Sequence, residues 1–445
     1  MTRDLDAGVD VEAHPATPEP VSNPERRWPP PALRVRQFRW YWAAQWPTLL
    51  GTWMQVVALG YLVYQRTGST TAVAAVAAAD GIPSVILSLA GGVLADRLPR
   101  RRILLVTQSL LGLSAGSLAL LVATNHASFA AILVVAIVFG ATDAADLPTR
   151  QALVADLVDR HLVVNAVALG AAAMSATRIV GPSVAGLLIG FAGPAVCFGF
   201  LAVAYLAPIV VLLRVIPDVV PLPRRAGATA WGELIAGLRV AGSDPLVRGV
   251  VIVASVLAFC GVSYMPFLPV LAKTQLHVGP QALGIMYSVG GVGGLVGGLA
   301  IASMGRGAGR LQLMLVGGVV YAASLFLVAH GAVLGVTLPA LVGISFAFVA
   351  VSTSMTTLLQ TDTDPALRGR LLGIYATIFA GLQPLGTVAY GLMAHSVGLF
   401  NAIGIGALLV GATTVLVVAT PSFRARVSGL SIGRAGPAAA PDTLA

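Results

Sequence analysis

Charge is scarce in this chain. Only 10% of its 445 residues are Asp, Glu, Lys or Arg, 57% are hydrophobic, and the mean hydropathy is +0.87. A water-soluble domain carries about a quarter charged residues, so a soluble surface is excluded. Lysine is almost missing: of 27 basic residues, Lys273 is the only lysine. A P-loop needs a lysine behind its glycines. Lys273 follows Ala272, so an ATPase site of that kind is excluded, and any work must draw on a gradient. The two cysteines, Cys197 and Cys260, sit in apolar runs with no Cys or His at ligand spacing. They read as free core thiols, and no metal or cofactor is expected. No H-E-x-x-H and no serine elbow appears, which argues against an enzyme. Residues 1 to 33 lack an apolar h-region, so a cleavable signal peptide is not expected there. Their stretch "HPATPEPVSNPERRWPPP" reads as a disordered cytoplasmic tail. Strict polar–apolar alternation is missing too, which excludes a membrane β-barrel.

Long apolar windows, by contrast, recur from end to end, each able to cross a bilayer as a helix. The chain reads as an all-α polytopic membrane protein. Twelve spans are expected, at roughly 38–64, 71–95, 103–123, 128–149, 165–190, 194–213, 246–271, 280–304, 311–329, 334–358, 371–395 and 398–419. A net charge of +9 raises nucleic acid as a partner, but the positions of the charges exclude it. If the N-terminus is cytoplasmic, the tails and inward loops hold 24 of the basic residues, including Arg150, and the outward loops only Arg66 and Lys273. That is the positive-inside pattern, with contact to anionic lipid headgroups. The longest inner connection, 214–245, reads as a cytoplasmic linker with a short amphipathic helix around Leu234, Ile235 and Leu238. It separates a first bundle at 36–213 from a second at 246–420, with a cytoplasmic tail at 421–445. The halves look related: "GGVLADR" from Gly91 and "GGLAIAS" from Gly297 both end apolar runs about 206 residues apart. Duplicated six-span halves place a substrate site near the midplane between them.

Six stretches carry a family resemblance: "LLGTWMQVVALGYLVYQRTGS", "GGVLADRLPRRR", "DLPTRQALVADLV", "NAVAL" with "RIVGPSVAGLL", "FLPVLAK", and "LRGRLLGIYATIFAGLQPLG". Together they resemble the major facilitator superfamily over about residues 36 to 420. The nearer resemblance is to its drug-exporter branch, which includes the enterobactin exporter and macrolide efflux pumps, the transmembrane secretion effectors. In that superfamily the loop after span two resembles G-x-x-x-D-R-x-G-R-R. Gly92, Asp96, Arg97, Arg100 and Arg101 match it, with Pro99 where glycine is usual. A carboxylate at a helix C-terminus is unfavourable unless another helix N-terminus or an arginine meets it. Asp96 therefore reads as a latch to the start of span eleven, with Arg368 or Arg370, that favours the outward-open state. The resemblance implies the same partner. Arg100 to Arg102 serve topology.

Four ionisable residues lie within the expected spans: Asp80, Asp143, Asp146 and Arg178. Intramembrane charges are functional candidates. Asp146 has Arg150 at i+4 as an ordinary partner, and Arg178 reads as a counter-ion between spans four and five. Asp80 or Asp143 is the candidate proton carrier, switched by its distance to Arg178. Gln45, Trp53, Gln55, Tyr264 and Gln383 are cavity candidates, since a Gln in an apolar helix needs a partner. The expected function is secondary export of a small amphiphile, drug-like or siderophore-like, by proton antiport and alternating access. The chain would be a monomer in the bacterial inner membrane with both termini cytoplasmic. An importer or uncoupled facilitator of the same fold is the alternative; a receptor or membrane enzyme would need a polar cluster that the sequence lacks.

Overall fold

A computed structural model describes residues 29–217, 242–304, 309–365 and 367–432, with the side chains of 89–97 and 428–432 outside that description. The amphipathic stretch expected around Leu234 lies outside the described residues. In chain order the helices are α1 (Arg36–Thr67), α2 (Thr70–Arg97), α3 (Arg100–Ala123), α4 (Phe129–Asp156), α5 (Val163–Ala192), α6 (Ala195–Ala204) and α7 (Leu206–Arg214). The second half has α8 (Pro245–Val256), α9 (Leu268–Thr274), α10 (Pro280–Ser303), α11 (Arg310–His330), α12 (Leu334–Thr361), α13 (Arg368–Met393), α14 (Leu399–Ala419) and α15 (Pro421–Ile432). Among the described residues, eleven helical segments are long and apolar enough to cross a membrane. α1 is as long but more polar, carrying Gln45, Thr48, Thr52 and Gln55 on the way across.

Two spans are broken, each for a visible reason. Pro208 has no N–H for the carbonyl of Ala204. Thr48 of α1 donates to that carbonyl instead, at 3.3 Å, and the sixth span is split at Tyr205 into α6 and α7. The seventh span passes from α8 through a π turn (Leu257–Gly261) and a 3-10 turn (Val262–Phe267) into α9. Its irregular carbonyls need donors, because lipid offers none. Tyr390 donates to the Cys260 carbonyl at 2.6 Å and Tyr287 to that of Met265 at 3.0 Å. Ser263 in turn donates to the Gln383 carbonyl at 2.9 Å.

Both halves share a clasp. Arg100 at the start of α3 pairs with Asp156 at the end of α4. Arg310 at the start of α11 pairs with Asp362 just past the end of α12, at 2.9 Å. Within the two stretches read as tails, the described residues 29–35 and 421–432 include side chains packed against the bundles. Pro31–Arg34 form a 3-10 turn with Ala32 buried, and its N–H donates to Asn165 at 3.0 Å. The stretch from 421 opens as α15, with Phe423 buried against Gly249 and Arg426 paired to Asp244 at 3.3 Å. In each case an apolar side chain has found a groove to fill.

The halves meet along α5 with α10 and α2 with α13. Both seams rely on small residues, which let backbones approach. A Cβ on Gly186 would lie 2.5 Å from the Pro280 carbonyl oxygen, and one on Gly284 2.5 Å from that of Pro182. Ser183 and Ser288 share a hydrogen bond of 2.8 Å across the same seam. On the other side Thr71 meets the Gly391 carbonyl at 3.2 Å and His395 at 2.9 Å. Lys273 stands over the Tyr64 ring at 5.6 Å. All these contacts lie at the end opposite the arginine-rich loops, or between it and mid-bundle. At the arginine-rich end no hydrogen bond or ion pair between described residues joins the halves, and Gly369 and Gly373 face open space.

The seam can be tested directly. Ser183→Cys with Ser288→Cys is expected to cross-link on oxidation, arrest transport, and recover with reductant. Free cycling of the oxidised double variant would refute the seam.

Candidate functional site

A cavity of about 490 Å³ lies between the halves near mid-bundle. Its wall is mostly apolar, with Trp53, Phe139, Tyr205 and Met265 among its larger side chains. The polar exceptions are few: Thr52, Gln55, Asp80, Ser84, Asp143, Arg150, Gln383 and Thr387.

Asp80 and Asp143 share this wall because α2 and α4 cross without a side chain between them. A Cβ on Gly140 would overlap the Asp80 carbonyl oxygen. Asp143 is one turn from Gly140 on the same helix. Pro83 sits inside α2 just beyond Asp80, where it removes a backbone donor. Among the described residues Asp80 has no hydrogen bond or ion pair, so its carboxyl looks into the cavity without a cation.

Asp143 does have one, but not Arg178. Arg150 Nη2 is 3.6 Å from Asp143 Oδ1, and Arg150 Nε is 2.6 Å from Asp146 Oδ2. Thr107 of α3 donates to Asp146 Oδ1 at 2.7 Å. The inward-loop placement of Arg150 is therefore corrected. α4 does not stop near 149; it runs two turns further, to Asp156. Two carboxylates on the same helix face compensate the arginine, so the charge can stay inside the bundle. The spacing 143, 146, 150 is an i, i+3, i+7 face and was the signal for this cluster.

The other candidates divide. Trp53, Gln55 and Gln383 line the cavity, whereas Gln45 and Tyr264 are buried away from its wall. Arg178 does not bridge spans four and five. α5 packs on α1 and α10, and the Arg178 guanidinium lies over the Trp53 ring at 5.4 Å. Among the latch residues, Gly92, Asp96 and Arg97 belong to the last turns of α2, and the side chains of 89–97 lie outside the description. Arg101 caps the end of α7, donating to the carbonyls of Leu212 at 2.6 Å and Leu213 at 3.2 Å. Arg368 and Arg370 open α13 and bond to no described residue.

Long apolar helices in two halves, joined by glycine contacts at one end around a mid-bundle cavity, are the build of a major facilitator transporter. The transmembrane secretion effector model of that superfamily matches residues 27–431. The chain belongs to the transmembrane secretion effector family, and it is a multi-pass membrane protein. It is 26% identical to the multidrug efflux pump Tap of Mycolicibacterium fortuitum over 379 residues, 82% of this chain and 92% of the relative. It is 25% identical to the enterobactin exporter EntS of Escherichia coli over 386 residues, 86% and 91% of the two chains. Among solved structures, the nucleoside transporter NupG aligns with a TM-score of 0.71 at 14% identity, covering 88% of this chain and 99% of that one. A bacterial homologue of the human lysosomal transporter Spinster, in an inward-facing and unoccupied conformation, aligns with a TM-score of 0.64 at 17% identity, covering 91% and 99%. These two likenesses show the fold.

The charge cluster makes a stability prediction. Arg150→Ala leaves Asp146 buried without its cation, which is expected to cost about 3 kcal/mol. Thermal unfolding in detergent should show the loss. Arg150→Gln combined with Asp146→Asn should recover part of it.

Proposed function

We propose that this chain exports a small amphiphilic molecule by alternating access, in exchange for protons. The observation that carries the proposal is the cavity: closed by glycine contacts at one end, largely apolar, and walled by two carboxyls. An apolar lining with few polar groups suits a lipophilic guest oriented by one or two hydrogen bonds. Gln55, Trp53 and Gln383 are placed to contact it. The names of the curated relatives, a multidrug efflux pump and an enterobactin exporter, support a drug-like compound or a siderophore. The arginine distribution supports a bacterial inner-membrane location with both termini in the cytoplasm and anionic headgroups at that face. The glycine-closed end is then the outer one. We take the working unit to be a monomer. Its two bundles, 36–213 and 246–420, move about the 214–245 linker.

Asp80 and Asp143 are the proton carriers in this reading. Arg150, rather than Arg178, is the cation whose hold on Asp143 changes during the cycle. Arg178 serves by fixing Trp53 at the cavity wall. The latch of Gly92, Asp96 and Arg97 against Arg368 and Arg370 belongs to the opposite state, when the cytoplasmic end is shut. Arg101 supports it by fastening the loop to α7.

Proteoliposomes loaded with ethidium test the coupling. An imposed pH gradient should drive dye movement, and a protonophore should abolish it. Asp80→Asn and Asp143→Asn should each lower gradient-driven transport about tenfold or more while leaving dye exchange at equal pH intact. Unchanged coupling in both variants would remove the carriers, and transport indifferent to the gradient would indicate an uncoupled facilitator. A tag on the amino end should be protected from protease outside intact cells; cleavage there would invert the topology.

A further inference from the structure

Four helices of the first half pass through one buried layer that the cavity does not reach. Tyr41, Leu104, Leu153 and Leu212 belong to one apolar cluster toward the arginine-rich end. α1 and α3 run away from that end, and α4 and α7 run toward it. One helical turn inward from those four residues therefore stand Gln45, Gln108, Thr149 and Pro208. The following layer is largely apolar, with Leu111, Ala115, Leu201 and Tyr205, and the Tyr205 side chain also lines the cavity. A polar layer thus lies between an apolar one and the cavity wall.

Its members are deeply buried: Gln108 is 1% exposed and Gln45 9%. The Gln45 side chain reaches the Tyr41 hydroxyl one turn away; beyond that contact, neither amide nor the hydroxyl has a hydrogen-bond partner among the described residues. The nearby hydroxyls are already committed. Thr149 donates to the Ala145 carbonyl at 2.6 Å, and Thr48 donates to that of Ala204. Two buried amides left this incompletely paired are not a stable dry arrangement. The common occupant of such a place is water with two to four polar partners. The guanidinium of Arg150 adjoins this layer, which disfavours a metal cation. Tyr41 is within electrostatic reach of both Arg150 and Asp146.

We propose that a buried water cluster occupies the Gln45–Gln108 layer, is bounded by the Tyr41 hydroxyl, and hydrates the inner side of the Asp146–Arg150 pair. The site is a dead end. Phe38, Leu104, Leu153 and Leu212 close it toward the arginine-rich end, so its water exchanges through the cavity side alone. Its role rests on the proton-antiport reading above. When the Asp143 carboxylate takes a proton it becomes a neutral acid, and Arg150 is left to Asp146 and the water. When Asp143 releases the proton the contact returns. Water beside the guanidinium lets the exchange occur without a leak path through the first half.

Hydroxyl radicals produced by synchrotron X-rays label side chains next to bound water even where bulk solvent is absent. In full-length protein in nanodiscs, Tyr41 (2% exposed) should label at least fivefold faster than Tyr390 (4% exposed), whose hydroxyl is bonded to the Cys260 carbonyl. Gln45→Leu with Gln108→Leu should bring the Tyr41 rate down to that of Tyr390. Equal rates in the unaltered protein would overturn the water site, a comparison that stands whether or not the variant folds. An unchanged rate in a folded double variant would overturn it too. Gradient-driven ethidium transport on the same preparation keeps the two readings apart. A labelled Tyr41 without proton-driven transport retains the water site and removes its role in coupling. Proton-driven transport with a protected Tyr41 does the reverse.

Discussion

A charge held inside hydrocarbon must find its compensation within the protein, and here one face of α4 supplies it. Asp143, Asp146 and Arg150 lie three and four residues apart, so the arginine reaches both acids without leaving its own helix. That arrangement lets α4 continue beyond the point where an uncompensated arginine would have to sit at the headgroups. It also fixes where the cavity can be polar. Asp143 and Arg150 face the space between the halves, while Asp146 is turned inward to Thr107. Asp80 joins them only because Gly140 offers no side chain at the crossing of α2 and α4. Remove these charges and the cavity's polar groups are two amides and a few hydroxyls.

The seam between the halves follows a different logic. Lipid gives helices no hydrophobic reason to associate. The α5–α10 contact relies instead on backbone approach at Gly186 and Gly284, with one hydroxyl pair, Ser183 and Ser288. Surfaces this smooth hold by shape and release without unpairing a charge. The irregular stretch between α8 and α9 is treated in the opposite way. Four of its carbonyls are met by hydroxyls, from Tyr390, Tyr287, Thr387 and, within the stretch, Ser263. An unwound segment can sit at membrane depth because its polar groups are answered within the protein.

Most of the helices were legible in the sequence, because an unbroken apolar window is a strong signal in a chain with so little charge. What escaped was local chemistry. The Pro208 break was hidden in a continuous apolar run. The π and 3-10 turns after α8 have no periodicity of their own to read. Arg150 looked like a loop arginine because the positive-inside rule explains any arginine near a span end. The i, i+3, i+7 pattern with Asp143 and Asp146 was visible and outweighed by that rule. Gln55, Trp53 and Gln383 were reachable from composition, since a polar residue in an apolar helix is conspicuous. Composition could not say that Gln45 turns into the first bundle rather than toward the cavity, because helices polar on two faces do not reveal which face is which. The clasps Arg100–Asp156 and Arg310–Asp362 needed two helix ends to be brought together, information that no local window holds.

Those clasps have a mechanical consequence. Each one ties the foot of one helix to the foot of the next inside the same half, and neither reaches across. The rim at that face is therefore stiff on each side, like two cupped hands with the fingers bound. On the alternating-access proposal, a guest gains nothing from local breathing of α4 or α12 and is admitted only when the whole hand tilts. The size threshold for entry is thus set far away, by how far the glycine seam at the opposite end can roll.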